Sequence, residues 1–298
     1  FILEEFLRKL VCAVKEIDNN AKRICYAFAE PSLPSPREVA SLMACMKKAC
    51  MEVLVVFAEL PRCQGRTLRK EVVDQLHELY DAVKDFISGI GSERNSYLQA
   101  AAKLERKCEA ITNTSKDNKE AVCSVLGNNY DFIGDAFYEL RQSIAEDEAL
   151  AVDVQHMPVG NGLNQPHLLT WSEQDRALVI SGMGLVKTVR ITMRKVYALV
   201  KARGRCINMQ ENADLDRIAH LFRTSSSFMD NFIASLYPPI VAAAVQENGA
   251  ALKGHVLAIL EATKESHFYN NDQEHWTLYL KYATVHNYET LLSHIALL

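Results

Sequence analysis

Apolar residues recur along almost the whole chain with the 3.6-residue period of a helix facing a core. In the stretch after Thr170, for example, Leu178, Leu185, Val189, Val196 and Leu199 fall on one side of a helical wheel. Little interrupts this pattern. Twelve glycines and eight prolines in 298 residues are a little over half the usual share of ~12%. A turn-rich sandwich, barrel or doubly wound sheet needs more chain reversals than that, and no alternation of β-branched and aromatic residues marks a strand. The pattern predicts an all-α protein of two antiparallel bundles with about five plus four long helices.

The breaks that exist place the helices. A first helix near 1–30 ends at Pro31. Ser35-Pro36-Arg37-Glu38 then reads as a helix start, with Ser35 as N-cap, Pro36 at the first helical position and Glu38 reaching back as a capping box. That second helix runs to Leu60, before Pro61. A turn at Gly65 leads to a third helix over 67–88. Ser92 opens a fourth to Ile111, and a fifth spans 116–146. Between Glu146 and Thr170 the period lapses among Pro158, Gly160, Asn161, Gly162, Asn164 and Pro166, the composition of a linker. A capping signature at Trp171-Ser172-Glu173 begins a sixth helix that stops at Gly204. A seventh covers 211–236, an eighth begins with Pro238-Pro239 in its first turn, and a ninth starts at Asn271. The expected domains are 1–146, a linker over 147–170, and 171–298.

Charge and chemistry exclude more than they suggest. The 33 basic and 37 acidic residues give a net charge of −4, unlike a nucleic-acid binder. No apolar run is long enough for a transmembrane helix. No signal-peptide pattern is visible, and a start at Phe1 points to a true N-terminus further upstream. The eight cysteines form no C-x-x-C pair and sit mostly within apolar helical stripes, which reads as reduced thiols. No Glu has a His three residues later, and no H-E-x-x-H or Cys/His cluster is present; His286 and His294 are the best same-face pair. Gly182-Met183-Gly184 with Lys187-Thr188 lacks the spacing of a phosphate loop and reads as close helix packing. Asp81 and Asp85, one turn apart beside Lys84, read as a solvated face. No nucleophile elbow is visible. The expectation is a non-enzyme with no catalytic residue, metal, cofactor or small-molecule ligand.

One feature stands out. From Arg176 to Gln210 there are eight basic residues and no acidic one. Lys187, Arg190, Arg194, Lys201 and Arg205 fall within about 60° of one another on the wheel, opposite the apolar stripe. A helix of this kind is either an ordinary solvated face or a docking face for an acidic partner or anionic lipid. Ser35-Pro36 also fits the minimal site of a proline-directed kinase, and Arg66-Thr67-Leu68 has the shape of a short cyclin-docking tripeptide.

Five stretches in register resemble one family: Leu33-Pro34-Ser35-Pro36; Gln64-Gly65-Arg66-Thr67-Leu68-Arg69-Lys70; Asp117-Asn118-Lys119-Glu120-Ala121 with Asn129-Tyr130-Asp131-Phe132; Trp171-Ser172-Glu173; and Ser235-Leu236-Tyr237-Pro238-Pro239. Together they resemble the cyclin-D-binding protein family, also known as GCIP or Maid. The resemblance implies a regulator that binds D-type cyclins, opposes phosphorylation of the retinoblastoma protein and slows the cell cycle. It also implies Id-like binding of helix-loop-helix transcription factors, presence in cytoplasm and nucleus, and bundles like those of vinculin, talin and α-catenin. A structural adaptor of the vinculin or talin type is the competing reading. The family's linker is longer and more acidic; here only Glu146, Asp147, Glu148 and Asp153 supply charge. The basic residues of the sixth helix alternate with its apolar stripe, whereas a DNA reader extends a basic block ahead of its first apolar helix. No direct DNA binding is expected.

Overall fold

Nine amphipathic segments become nine helices among the residues that the structure, a computed structural model, describes: 2–29, 33–90, 94–156 and 171–297. They are α1 (Ile2–Ala29), α2 (Pro36–Ala58), α3 (Arg66–Gly89), α4 (Arg94–Thr112), α5 (Asn118–His156), α6 (Glu173–Arg203), α7 (Met209–Ser235), α8 (Ala242–Lys264) and α9 (Glu274–Ile295). No strand occurs among the described residues. The protein is all-α, as the apolar period requires.

The chain divides into two units, Phe1–Ala121 with Cys206–Ala213, and Val122–Arg205 with Asp214–Leu298. In the first, α1 to α4 enclose a core that includes Leu10, Ile17, Val53, Leu79, Phe86 and Leu104. Cross-helix contacts fix the directions. Lys9 pairs with Glu59, the Tyr80 hydroxyl donates to the Cys50 carbonyl, and Lys107 and Lys103 pair with Glu78 and Asp85. The lysine pairs set α1 antiparallel to α2 and α3 antiparallel to α4. Asp85 is used in one of these surface pairs, consistent with a solvated face.

In the second unit, α5 to α9 enclose Val189, Met193, Phe222, Phe232, Leu252 and Leu291. Small residues set the close approaches. A Cβ on Gly182 would lie 3.0 Å from Leu236 Cδ1, and one on Gly184 would lie 3.2 Å from Asn287 Oδ1. The two glycines of the sixth helix serve packing.

Three boundaries differ most from the sequence reading. The units divide at Ala121, so they hold four and five helices rather than five and four. The reason is visible in α5. Its buried face (Val122, Leu126, Ile133, Phe137, Leu140) belongs to the second unit, where Gly127 abuts Tyr197 of α6 and Asp147 pairs with Arg176. Secondly, residues 147–156, expected as linker, continue α5. Nothing from Asp147 to His156 breaks a helix; the first such residue is Pro158. The rest of the expected linker, 157–170, lies outside the described residues. Thirdly, α8 begins at Ala242, after Pro238-Pro239. A residue before proline is disfavoured in the α region, so Pro238 is a poor helical residue ahead of Pro239.

Candidate partner-docking face

The start of α6 is locally determined. Ser172 caps it, accepting from the Asp175 N–H, while the Asp175 carboxylate accepts from the Ser172 N–H at 3.0 Å. Glu173 and Asp175 lie in its first turn, Lys201 and Arg203 in its last. Both ends therefore complement the helix dipole.

The five basic residues expected to form one stripe have different surroundings. Lys187, Arg194 and Lys201 are exposed, and no carboxylate pairs with them among the described residues. Lys195 is exposed beside them, as are Ile180 and Ile191. Arg205 is exposed just beyond the helix end, and its backbone N–H donates to His267 Nε2 at 2.9 Å. Arg203 lies 4.0 Å from Asp272. The open part of the face is thus Lys187, Arg194, Lys195 and Lys201, with two isoleucines among them.

Arg190 is not part of that open face. Its guanidinium sits over three rings of α5, 5.1 Å from the Tyr138 centroid, 5.6 Å from Phe137 and 5.8 Å from Tyr130. Its Nε is buried without a hydrogen-bond partner. A cation over aromatic faces is held by their quadrupoles. Replacing Arg190 by glutamate puts a carboxylate against the same negative ring faces. We expect Arg190→Glu to lower stability by about 2 kcal/mol and Arg190→Lys, which keeps the charge but loses the planar guanidinium, by about half of that. Urea unfolding of the full chain measures this; two neutral substitutions would show that the rings do not hold the arginine.

Two histidine pairs could be mistaken for catalytic dyads. His255 Nε2 lies 2.9 Å from Ser225 Oγ and 3.0 Å from the Leu221 carbonyl oxygen. Its ring stacks on Phe228 at 4.4 Å, and burial lowers its pKa. It is a satisfied core residue, and Ser225 is fully buried. His267 Nδ1 lies 2.9 Å from Asp214 Oδ2, while its Nε2 accepts the Arg205 N–H. Both nitrogens are engaged, so this pair fastens the turn after α6. Neither pair was legible in the sequence, because their members lie 30 and 53 residues apart. No group of three or more His, Cys, Asp or Glu able to hold a metal occurs among the described residues. His294 Nδ1 lies 2.9 Å from the Thr290 carbonyl, within its own helix. All eight cysteines are free, and burial pushes the Cys108 thiol up to about 12. No helix among the described residues is long and apolar enough to cross a membrane.

Within each unit, two of the stretches that carry the family resemblance meet in space. Gly65 precedes α3 with φ 101° and lies against Asn118, whose Oδ1 accepts the Leu68 N–H at 3.0 Å. Asn118, from the start of α5, therefore caps α3. Nearby, Asn212 Nδ2 donates to the Cys63 carbonyl at 3.0 Å. In the other unit the Trp171 indole N–H donates to the Leu236 carbonyl at 2.7 Å, and its ring packs 5.5 Å from Tyr237. Asp147 binds both the Trp171 N–H and Arg176. These stretches hold the fold together. The Arg66-Thr67-Leu68 tripeptide is among them, and Leu68 is fully buried, which leaves it unsuited to docking.

Residues 9–146 match the family described as Grap2 and cyclin-D-interacting, N-terminal. Over nearly its full length the chain is similar to proteins named for cyclin D1. It is 30% identical over 301 residues to the cyclin-D1-binding protein 1 homolog of Danio rerio, covering 98% of this chain and 87% of that protein. It is 27% identical over 290 residues to the Xenopus laevis homolog, covering 95% and 87%. It is 27% identical over 294 residues to cyclin-D1-binding protein 1 of Homo sapiens, covering 93% and 80%.

Proposed function

Because the chain belongs to the cyclin-D1-binding protein family, we propose that it is a non-enzymatic regulator that binds a D-type cyclin through the open basic face of α6. The relatives' names supply the partner. The observation that carries the face is the set of cations, Lys187, Arg194 and Lys201, that no carboxylate compensates among the described residues. The three stand seven residues, or about two turns, apart along one side of α6, so they form a strip of positive charge with little mutual repulsion. An acidic surface of the partner complements that strip, and Ile180 and Ile191 give the same face apolar area to bury.

In this reading the protein opposes the cyclin's kinase by occupying it and slows cell-cycle progression. It also holds helix-loop-helix factors off DNA, resides in both cytoplasm and nucleus, and reads no DNA itself. The test is a kinase assay with a D-type cyclin holoenzyme, a retinoblastoma-protein substrate and rising amounts of the purified chain. The expected result is inhibition that saturates near one molar equivalent, without turnover of the inhibitor. Full kinase activity at a large molar excess of folded protein would remove the cyclin reading and favour the adaptor one.

A further inference from the structure

Of the eight prolines, only Pro36 follows a serine or threonine. That single Ser-Pro step stands where the backbone is open to a second protein. Leu33, Pro34 and Ser35 precede α2 outside any helix, and Ser35 has extended backbone, φ −61° and ψ 155°. Ser35, Pro36, Arg37 and Glu38 are all exposed, and Leu33 is 78% exposed.

The first turn of α2 is lightly anchored. Leu42 and Met43 of the next turn are the first of its side chains packed against the core, and Met46, ten residues in from Pro36, is the first fully buried one. What holds the first turn is the capping box. The Ser35 N–H and hydroxyl both donate to Glu38 Oε2 at 2.7 Å, and the Glu38 N–H donates to Ser35 Oγ at 3.4 Å. A kinase takes its substrate as an extended strand, so this turn must open for Pro36 and its followers to fit. With no core side chain to withdraw, opening costs little more than the cap itself.

We propose that Ser35 is a phosphorylation site for a proline-directed protein kinase. Ser35 Oγ attacks the γ-phosphorus of ATP and the new Oγ–P bond forms. The bond from that phosphorus to the bridging oxygen breaks, ADP leaves, and the hydroxyl proton passes to the base of the kinase. The product phosphate carries nearly two negative charges and strong acceptor oxygens at the positive end of α2. It takes over the N–H groups of the first turn and repels the Glu38 carboxylate. The helix stays capped, while the surface at its start becomes acidic. This inference does not depend on the cyclin partner.

The experiment incubates the full chain with ATP and an active proline-directed kinase and locates phosphate by intact mass and peptide mapping. One phosphate at Ser35 is expected, with none in Ser35→Ala and unchanged helicity by circular dichroism. Glu38→Ala, which weakens the box, is expected to be phosphorylated about three- to tenfold faster. A synthetic peptide of residues 31–42 is the control. If the peptide accepts phosphate and the folded chain does not, the cap shields Ser35 and the proposal fails. It fails equally if neither accepts phosphate, or if phosphate persists in Ser35→Ala.

Discussion

Alanine at Gly65 is expected to destabilise the first unit by about 3 kcal/mol, the combined cost of a backbone region open only to glycine and of a lost cap. Gly65 sits at φ 101° and ψ 147°, where an L side chain is strained. Its Cβ would also fall 2.0 Å from Asn118 Cγ and 2.3 Å from both terminal atoms of that amide. The amide cannot swing aside freely, since Asn118 is 1% exposed and its Oδ1 holds the Leu68 N–H. Displacing it leaves buried polar groups without partners. Asn118→Ala removes the cap without strain and is expected to cost about 1–2 kcal/mol. In the double variant the clash with Asn118 is gone, so its cost falls below the sum of the single ones. Urea unfolding of the four proteins measures this. Additive costs would show that the two residues do not meet.

That contact marks the limit of what the residue pattern reveals. Ser35-Pro36-Arg37-Glu38 announces a capping box because its members are neighbours in sequence, and the structure has that box. The apolar period places nine helices for the same reason: each helix is a local object. Gly65 and Asn118 lie far apart in the chain, and nothing in either neighbourhood names the other. The basic stripe shows the same limit within one helix. A wheel groups Arg190 with Lys187 and Arg194 by angle alone. It cannot know that Tyr130, Phe137 and Tyr138 of α5 pack along that side and take Arg190 out of the open face. Composition misplaces the end of α5. The acidic run from Glu146 resembles a linker start, yet Asp147 is a buried partner of Arg176 and of the Trp171 N–H.

The proposal that the α6 face docks the partner is tested most directly by reversing its charge. Lys187, Arg194 and Lys201 are changed together to glutamate in the full chain, and affinity for a purified D-type cyclin is measured by calorimetry at several salt concentrations. Arg190 is left intact, because its removal would confuse docking with stability. Each exposed ion pair contributes up to about 1 kcal/mol, and reversal replaces attraction by repulsion. The expected loss is about 30-fold or more in affinity, or about 2 kcal/mol. Melting should change little, because surface substitutions stay within about 0.5 kcal/mol each. Reversal of the equally exposed Lys15, Lys47 and Lys48 of the first unit makes the same change in net charge and is expected to leave affinity nearly unaltered. The wild-type affinity should weaken as salt rises, and that dependence should vanish in the α6 variant. A folded α6 variant that binds the cyclin as tightly as the wild type would contradict the account and leave Lys187, Arg194 and Lys201 as an ordinary solvated surface.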